Sequence, residues 1–160
     1  EKIIAGELPA SIVHRDDQCI AFMDIHPMSP GHVLVCPHVG VASLDQLDFS
    51  QRSHLWEVAR RIAQAQRYVL DSQAQHFLVN DGKGASQTVP HVHIHVIPRY
   101  KGDRIRTVAR IIGHIGVLMV PVGISDKRRA ELDDQARRIA TELAVINKND
   151  AIETYRMGAD

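Results

Sequence analysis

The stretch TVPHVHIHVIPRY, Thr88 to Tyr100, limits the possible folds more sharply than any other part of this 160-residue chain. His91, His93 and His95 alternate with Val92, Ile94 and Val96. A period of two is that of a strand, and β-branched residues suit a pleated, half-buried surface. Side chains on a strand point alternately to its two faces, so the histidines share one face and the aliphatics share the other. Neighbouring imidazoles then lie roughly 7 Å apart along the strand. The aliphatic face needs a core to cover it. The imidazole face is left for water or for chemistry.

The rest of the chain supplies partners for that strand. Residues 1–17 read as a short helical turn, then Pro9, then an extended segment around Ile12 and Val13. QCIAFMDIHP is a second strand stopped by Pro27, and HVLVCP is a fully apolar run that suits a strand covered on both faces. From about Ser50 to Leu70 the period becomes helical, with Leu55, Val58, Ala59, Ile62, Ala65 and Val69 on one stripe and Asp48 or Ser50 as caps. HFLVND, His76 to Asp81, reads as a strand leading into the loop GKGASQT. RRAELDDQARRIATELAVI is an amphipathic helix, with Leu132, Ala136, Ile139, Ala140 and Leu143 on one side. The order favours an α+β fold: an antiparallel five-stranded sheet with one long helix and a C-terminal helix. The expected division is a core over residues 1–102 and an extension over 103–160 that packs on the same domain.

Charge narrows the partners. Lysine plus arginine number 19, as do aspartate plus glutamate, so neither long nucleic-acid tracts nor anionic membranes are expected. The longest apolar stretch, Ile111 to Ile124, is too short to span a bilayer and is broken by glycines, a histidine and a proline. No secretory leader is legible, and a cytoplasmic location is expected. Cys19 and Cys36 form no C-x-x-C pair and read as two buried thiols in a reducing compartment.

Three readings fit the histidine row. It can be a solvated strand face, although strict alternation in a chain with ten histidines argues against chance. Two histidines at i and i+2 can ligate zinc, with Asp81 or Asp24 as further ligand or orienting carboxylate. The row can also serve nucleophilic catalysis. An imidazole of ordinary pKa near 6.5 is mostly neutral at pH 7, attacks phosphorus well and departs well once bonded and positively charged. The middle residue is best placed for that role. Charge developing on a phosphate needs donors, which GKGASQT can offer through backbone N–H groups and the side chains of Ser86, Gln87 and Thr88.

HVHIHVIPR matches the H-φ-H-φ-H-φ-φ signature, and the chain here resembles the histidine-triad (HIT) superfamily of nucleotide hydrolases and transferases. FMDIHPMSPGHVLVCP, FLVNDGKGASQTVPHVHIHV and the opening IIAGELPASIV agree with it in order and spacing, so the resemblance covers about residues 1 to 100. It implies that His93 is the nucleophile, that His91 orients it, and that His95 contacts the scissile phosphate and leaving group. It implies that His32 packs behind the triad and bonds into it. Asn80 and the loop Ser86, Gln87, Thr88 and Val89 are implied for phosphate binding, and Asp24 as acceptor for the ribose hydroxyls. Ile25, Phe22 and Ile4 are candidates for the slot that holds the base.

The expected function is cleavage at the α-phosphate of a purine nucleotide conjugate, AMP- or GMP-type, through a covalent nucleotidyl-histidine. The alternative is a nucleotide-binding regulatory module with vestigial activity. His95, where a transferase branch carries glutamine, points to hydrolysis. GHVLVCP and IPRY resemble the fragile-histidine-triad branch, whereas Asn80 resembles the Hint branch, so dinucleoside polyphosphates and nucleoside phosphoramidates both stay open as substrates. A homodimer is implied as well. No cofactor is expected, beyond magnesium arriving with a polyphosphate, and no bound metal. Members with zinc pair N-terminal cysteines with a histidine shortly after the GH-φ-φ-φ-x-P strand. Here Gly40 takes that histidine's place, His38 lies two residues earlier, and such cysteines would have to lie upstream of Glu1. The apolar stretch 104–124 departs from the family pattern and is expected to cover the site or meet another subunit.

Overall fold

A computed structural model describes residues 2–103 and 124–157. Five strands, β1 (Ile12–Arg15), β2 (Cys19–Met23), β3 (Val33–Pro37), β4 (Ala74–Leu78) and β5 (Ile94–Arg99), form one antiparallel sheet in the order β1-β2-β3-β5-β4. Two helices, α1 (Phe49–Leu70) and α2 (Asp126–Met157), complete the α+β architecture expected from the sequence. None of the described helices is long and apolar enough to cross a membrane.

The register separates the two faces of the sheet. Met23, Val33, Val96 and Phe77 align across four strands, and Ala21, Val35 and Ile94 form the next row on the same face. Most of these residues lie in the core with Leu55, Val58, Ala59 and Ile62 of α1 and Leu132, Ala136, Ile139 and Leu143 of α2. The opposite face carries the row Ile12, Phe22, Leu34, His95 and Leu78. Both of these helices thus cover one face, and among the described residues the other carries only short segments and loops.

Local chemistry accounts for the ends of α1. Asp48 caps its start by accepting the Gln51 N–H at 2.8 Å, while the Gln51 side chain returns to the Asp48 N–H at 3.0 Å. The helix stops at Asp71, whose φ of 54° is left-handed and breaks the repeat. The two helices are tied by polar contacts as well as by packing, since Arg61 of α1 donates to Asn147 of α2 at 3.0 Å and lies 3.4 Å from Asp150 of α2.

Two expectations need correcting. The strand expected over His76–Asp81 lies earlier, at Ala74–Leu78, because Ala74 and Gln75 pair with Arg99 and Pro98. The histidine row is only partly strand, because ladder pairing begins at Ile94. The Val92 N–H bonds instead to the Val41 carbonyl at 2.8 Å, and the His91 N–H to that of Val89, also at 2.8 Å. The role expected for 104–124 falls outside the described residues except at Ile124, which packs against the core.

Gly31 holds the approach to β3. Its φ is +85°, and an added Cβ would sit 2.4 Å from Leu70 Cδ1 and 3.2 Å from Pro98 Cγ. Its N–H donates to Gln135 Oε1 and its carbonyl accepts from the buried Gln66 side chain, both at 2.9 Å. Gly31→Ala is expected to lower stability by about 2–4 kcal/mol, combining left-handed strain with overpacking. Urea unfolding checks this; a loss below about 0.5 kcal/mol, the scale of an ordinary surface substitution, would contradict it.

Candidate active site

The face of the sheet opposite α1 and α2 holds a cavity of about 380 Å³, within the size range of small-molecule sites. His91, His93 and His95 line it together with Asp24, Asn80, Ser86, Thr88 and Val89. Residues separated by up to 71 positions therefore meet in one place. Val92, Ile94 and Val96 point the other way into the core, so the alternation does separate the two residue classes.

The backbone sets the chemical state of His93. Its Nδ1 lies 2.7 Å from the His91 carbonyl oxygen. A carbonyl can only accept, so Nδ1 carries the hydrogen and, in the neutral ring, the lone pair resides on Nε2. His91 is itself buried, with its Nε2 donating to the Pro37 carbonyl at 2.9 Å. His91 thus fixes His93 through its main chain while its own ring is anchored to β3.

His95 is linked to a chain of buried groups. Its Nδ1 lies 3.0 Å from Nε2 of His32, whose Nδ1 lies 3.3 Å from Asp24 Oδ2. The Met28 N–H approaches the same His32 nitrogen at 3.3 Å. An amide can only donate and a carboxylate only accept, so a hydrogen on His32 Nδ1 selects the carboxylate. Asp24 Oδ1 is held by the His26 N–H at 2.8 Å. The rings of His93 and His95 are 4.8 Å apart and edge-on, which puts the two imidazoles within reach of one small group.

The loop before the triad is held in a special shape. Gly82 has φ 92°, a single 3₁₀ turn spans Lys83–Ala85, and Ser86 has φ 64°. A left-handed serine costs conformational energy and is over-represented where a loop serves a ligand. Gln87 pins the loop: its Oε1 accepts the Gly82 N–H at 2.9 Å and its Nε2 donates to the Ala42 carbonyl at 2.8 Å.

Two expected contacts are not found in the cavity. The Gln87 side chain is spent on Gly82 and Ala42, and Ile25 lies outside the cavity with 40% of its surface exposed. Phe22 and Ile4 do line it, joined by Lys2, Ile3, Leu8, Leu34 and Cys36, which sequence reasoning missed. The signal for Leu34 and Cys36 was present: once His95 pairs with Leu34, alternation along β3 places both on the triad's side. Burial pushes the Cys36 thiol up to about 12, so it forms a wall and not a nucleophile at neutral pH.

The HIT domain model matches residues 5–102, which span the sheet, α1 and the triad. The chain belongs to the HIT family. An uncharacterized HIT-like protein of Mycobacterium tuberculosis is 39% identical over 103 residues, covering 64% of this chain and 72% of that protein. Bis(5'-adenosyl)-triphosphatase of Dictyostelium discoideum is 42% identical over 94 residues, covering 59% of this HIT chain and 63% of that enzyme. The crystal structure of a zinc-bound histidine triad family protein from Mycobacterium smegmatis is similar in fold, with TM-score 0.71 and 28% identity over 92% of this chain and 93% of the other.

Proposed function

We propose that this HIT protein hydrolyses a purine nucleotide conjugate, a dinucleoside polyphosphate or nucleoside phosphoramidate, through a nucleotidyl group carried on His93. The observation that supports this best is the His93 Nδ1 contact with the His91 carbonyl, which leaves Nε2 as the basic ring nitrogen in a cavity lined by His95 and Ser86. In the first step Nε2 bonds to the α-phosphorus while the bond from phosphorus to the leaving group breaks. The leaving group takes a proton from an imidazolium His95, whose positive charge Asp24 balances through His32. In the second step water attacks phosphorus, the P–N bond breaks, its electron pair returns to Nε2, and His95 takes the water's proton. The Ser86 and Thr88 side chains at the cavity wall serve the phosphate oxygens, the N–H groups of residues 85–87 being used within the loop, and Asp24 accepts from the ribose. The apolar walls Ile4, Leu8, Phe22 and Leu34 suit a base. No metal is required for the covalent step.

Mass spectrometry of protein acid-quenched during turnover tests this. A nucleotidyl adduct on the peptide containing His93 is the expected result. Substrate consumption with no adduct at that peptide would remove the proposed route.

We also propose a homodimer formed at the open edge of the sheet. β4 is an edge strand whose Phe77 and Leu78 are both more than a third exposed, and Trp56 of α1 lies beside Phe77 with ring centres 6.0 Å apart. Sedimentation at micromolar concentration is expected to give a dimer; a monomer throughout would refute the assembly.

A further inference from the structure

A second group of reactive side chains lies away from the triad, on the helix-covered side of the sheet at the β1–β2 turn. Asp16 is its centre. Asp16 Oδ2 lies 2.7 Å from His14 Nε2, 2.7 Å from His54 Nε2 and 3.8 Å from Cys19 Sγ. The ligand-type atoms of His14, Asp16 and Cys19 all fall within 4.8 Å of one another. His54 comes from α1, so the group joins two layers of the fold across 38 sequence positions.

The backbone is arranged to make this meeting possible. Ile12 pairs with Phe22, yet His14 pairs with Ala21, so the register slips by one residue at a bulge. Without the slip, His14 would share the cavity face with Ile12; with it, His14 faces the helices as Ala21 does. Asp16 is oriented by two main-chain bonds, from the Gln18 N–H at 2.9 Å and the Cys19 N–H at 2.8 Å, both to Oδ1. That leaves Oδ2 to the two imidazoles and the thiol. His38, from beyond β3, adds an outer support by donating from Nε2 to the Asp16 carbonyl at 2.8 Å.

We propose that His14, Asp16, Cys19 and His54 form a structural zinc site. Two imidazole nitrogens, one carboxylate oxygen and one thiolate are a ligand set that zinc accepts in tetrahedral geometry with no open position. Bond lengths of roughly 2.0–2.3 Å in a tetrahedron place ligand atoms about 3.3–3.8 Å apart. The sulfur–oxygen distance already fits, and the two nitrogen–oxygen contacts must open by about 0.6 Å from hydrogen-bond length. His54 stands outside the mutually close group of three and joins it through Asp16, so its ring must also swing inward to complete the tetrahedron. On binding, zinc bonds to sulfur and to both Nε2 atoms: the thiol proton leaves to solvent, and the hydrogen on each Nε2 is exchanged through solvent to Nδ1, giving neutral rings with a free Nε2 lone pair. In the metal-free chain Asp16 Oδ2 accepts from both rings and the thiol; a zinc ion would replace those three hydrogens with a single cation held by the same groups. The site shares no residue with the triad, and its donors differ from the N-terminal cysteine pair of other family members. It stands or falls independently of the hydrolytic reading.

The test uses the full chain, reduced and stripped with a chelator, then titrated with zinc alone and with cobalt(II) alone. One zinc per chain and a cobalt spectrum with a thiolate charge-transfer band are expected, the band vanishing in Cys19→Ser. His54→Gln changes a partly exposed helix position, so its folding can be checked by circular dichroism. It is expected to weaken zinc at least about a hundredfold, beyond the roughly 10–100-fold that outer partners carry. A cobalt spectrum without a thiolate band, zinc affinity unchanged in folded His54→Gln, or zinc binding lost in His95→Gln instead would each overturn the site.

Discussion

His93→Ala is expected to reduce turnover of a dinucleoside polyphosphate or a nucleoside phosphoramidate by at least about a thousandfold, because the covalent route loses its nucleophile. Nucleotide affinity is expected to stay within about tenfold of the wild type, since the walls and the phosphate loop remain. The pairing of these outcomes matters. A large fall in rate with nearly intact binding separates chemistry from recognition. Steady-state kinetics alongside equilibrium titration with a nucleoside monophosphate would measure both. Equal rates for wild type and variant on both substrates would leave a nucleotide-binding module and no enzyme acting through His93.

Ile139→Ala is expected to destabilise the protein by about 2–5 kcal/mol, the cost of a cavity at a fully buried aliphatic position. That is a large share of the roughly 5–15 kcal/mol by which a domain is stable. The melting temperature should fall by roughly 5–15 °C at this chain length. Ile139 belongs to α2, beyond the 5–102 region of the family match, yet it shares a core with Ile62 and Ala59 of α1. A loss under about 0.5 kcal/mol, as at an ordinary surface site, would mean that α2 contributes little to the domain's stability.

Periodicity carried most of the fold. The triad row, the stripe on α1 and the stripe on α2 were legible because each places apolar residues at the repeat of its own element. Where the reading slipped, a competing hydrogen bond was responsible. His91 and Val92 look like strand residues, but their N–H groups bond to Val89 and Val41, and this delays β5 to Ile94. In β4 the apolar run FLV drew attention, although the pairing partners of Ala74 and Gln75 lie on Arg99 and Pro98, more than twenty residues away. The site was legible where it is contiguous, at residues 86–95. Of its walls, Ile4 and Phe22 were anticipated through the resemblance, while Lys2, Ile3, Leu8 and the β3 residues Leu34 and Cys36 were not, because closure of a cavity depends on long-range register. Ile25, a candidate for the base slot through the resemblance, lies outside the cavity. The cluster around Asp16 could not have been read from one dimension, since a bulge decides which way His14 turns.

On β3, Leu34 and Cys36 look toward the triad, while Val33 and Val35 look toward the helices. Tolerance to change should therefore oscillate from one position to the next along a single strand. Variation at Leu34 would retune which molecule is accepted, with thermostability little altered. The same variation one step along, at Val35, would spend robustness and leave selectivity alone. A combinatorial library restricted to one parity of β3 would thus explore new ligands on an undamaged scaffold.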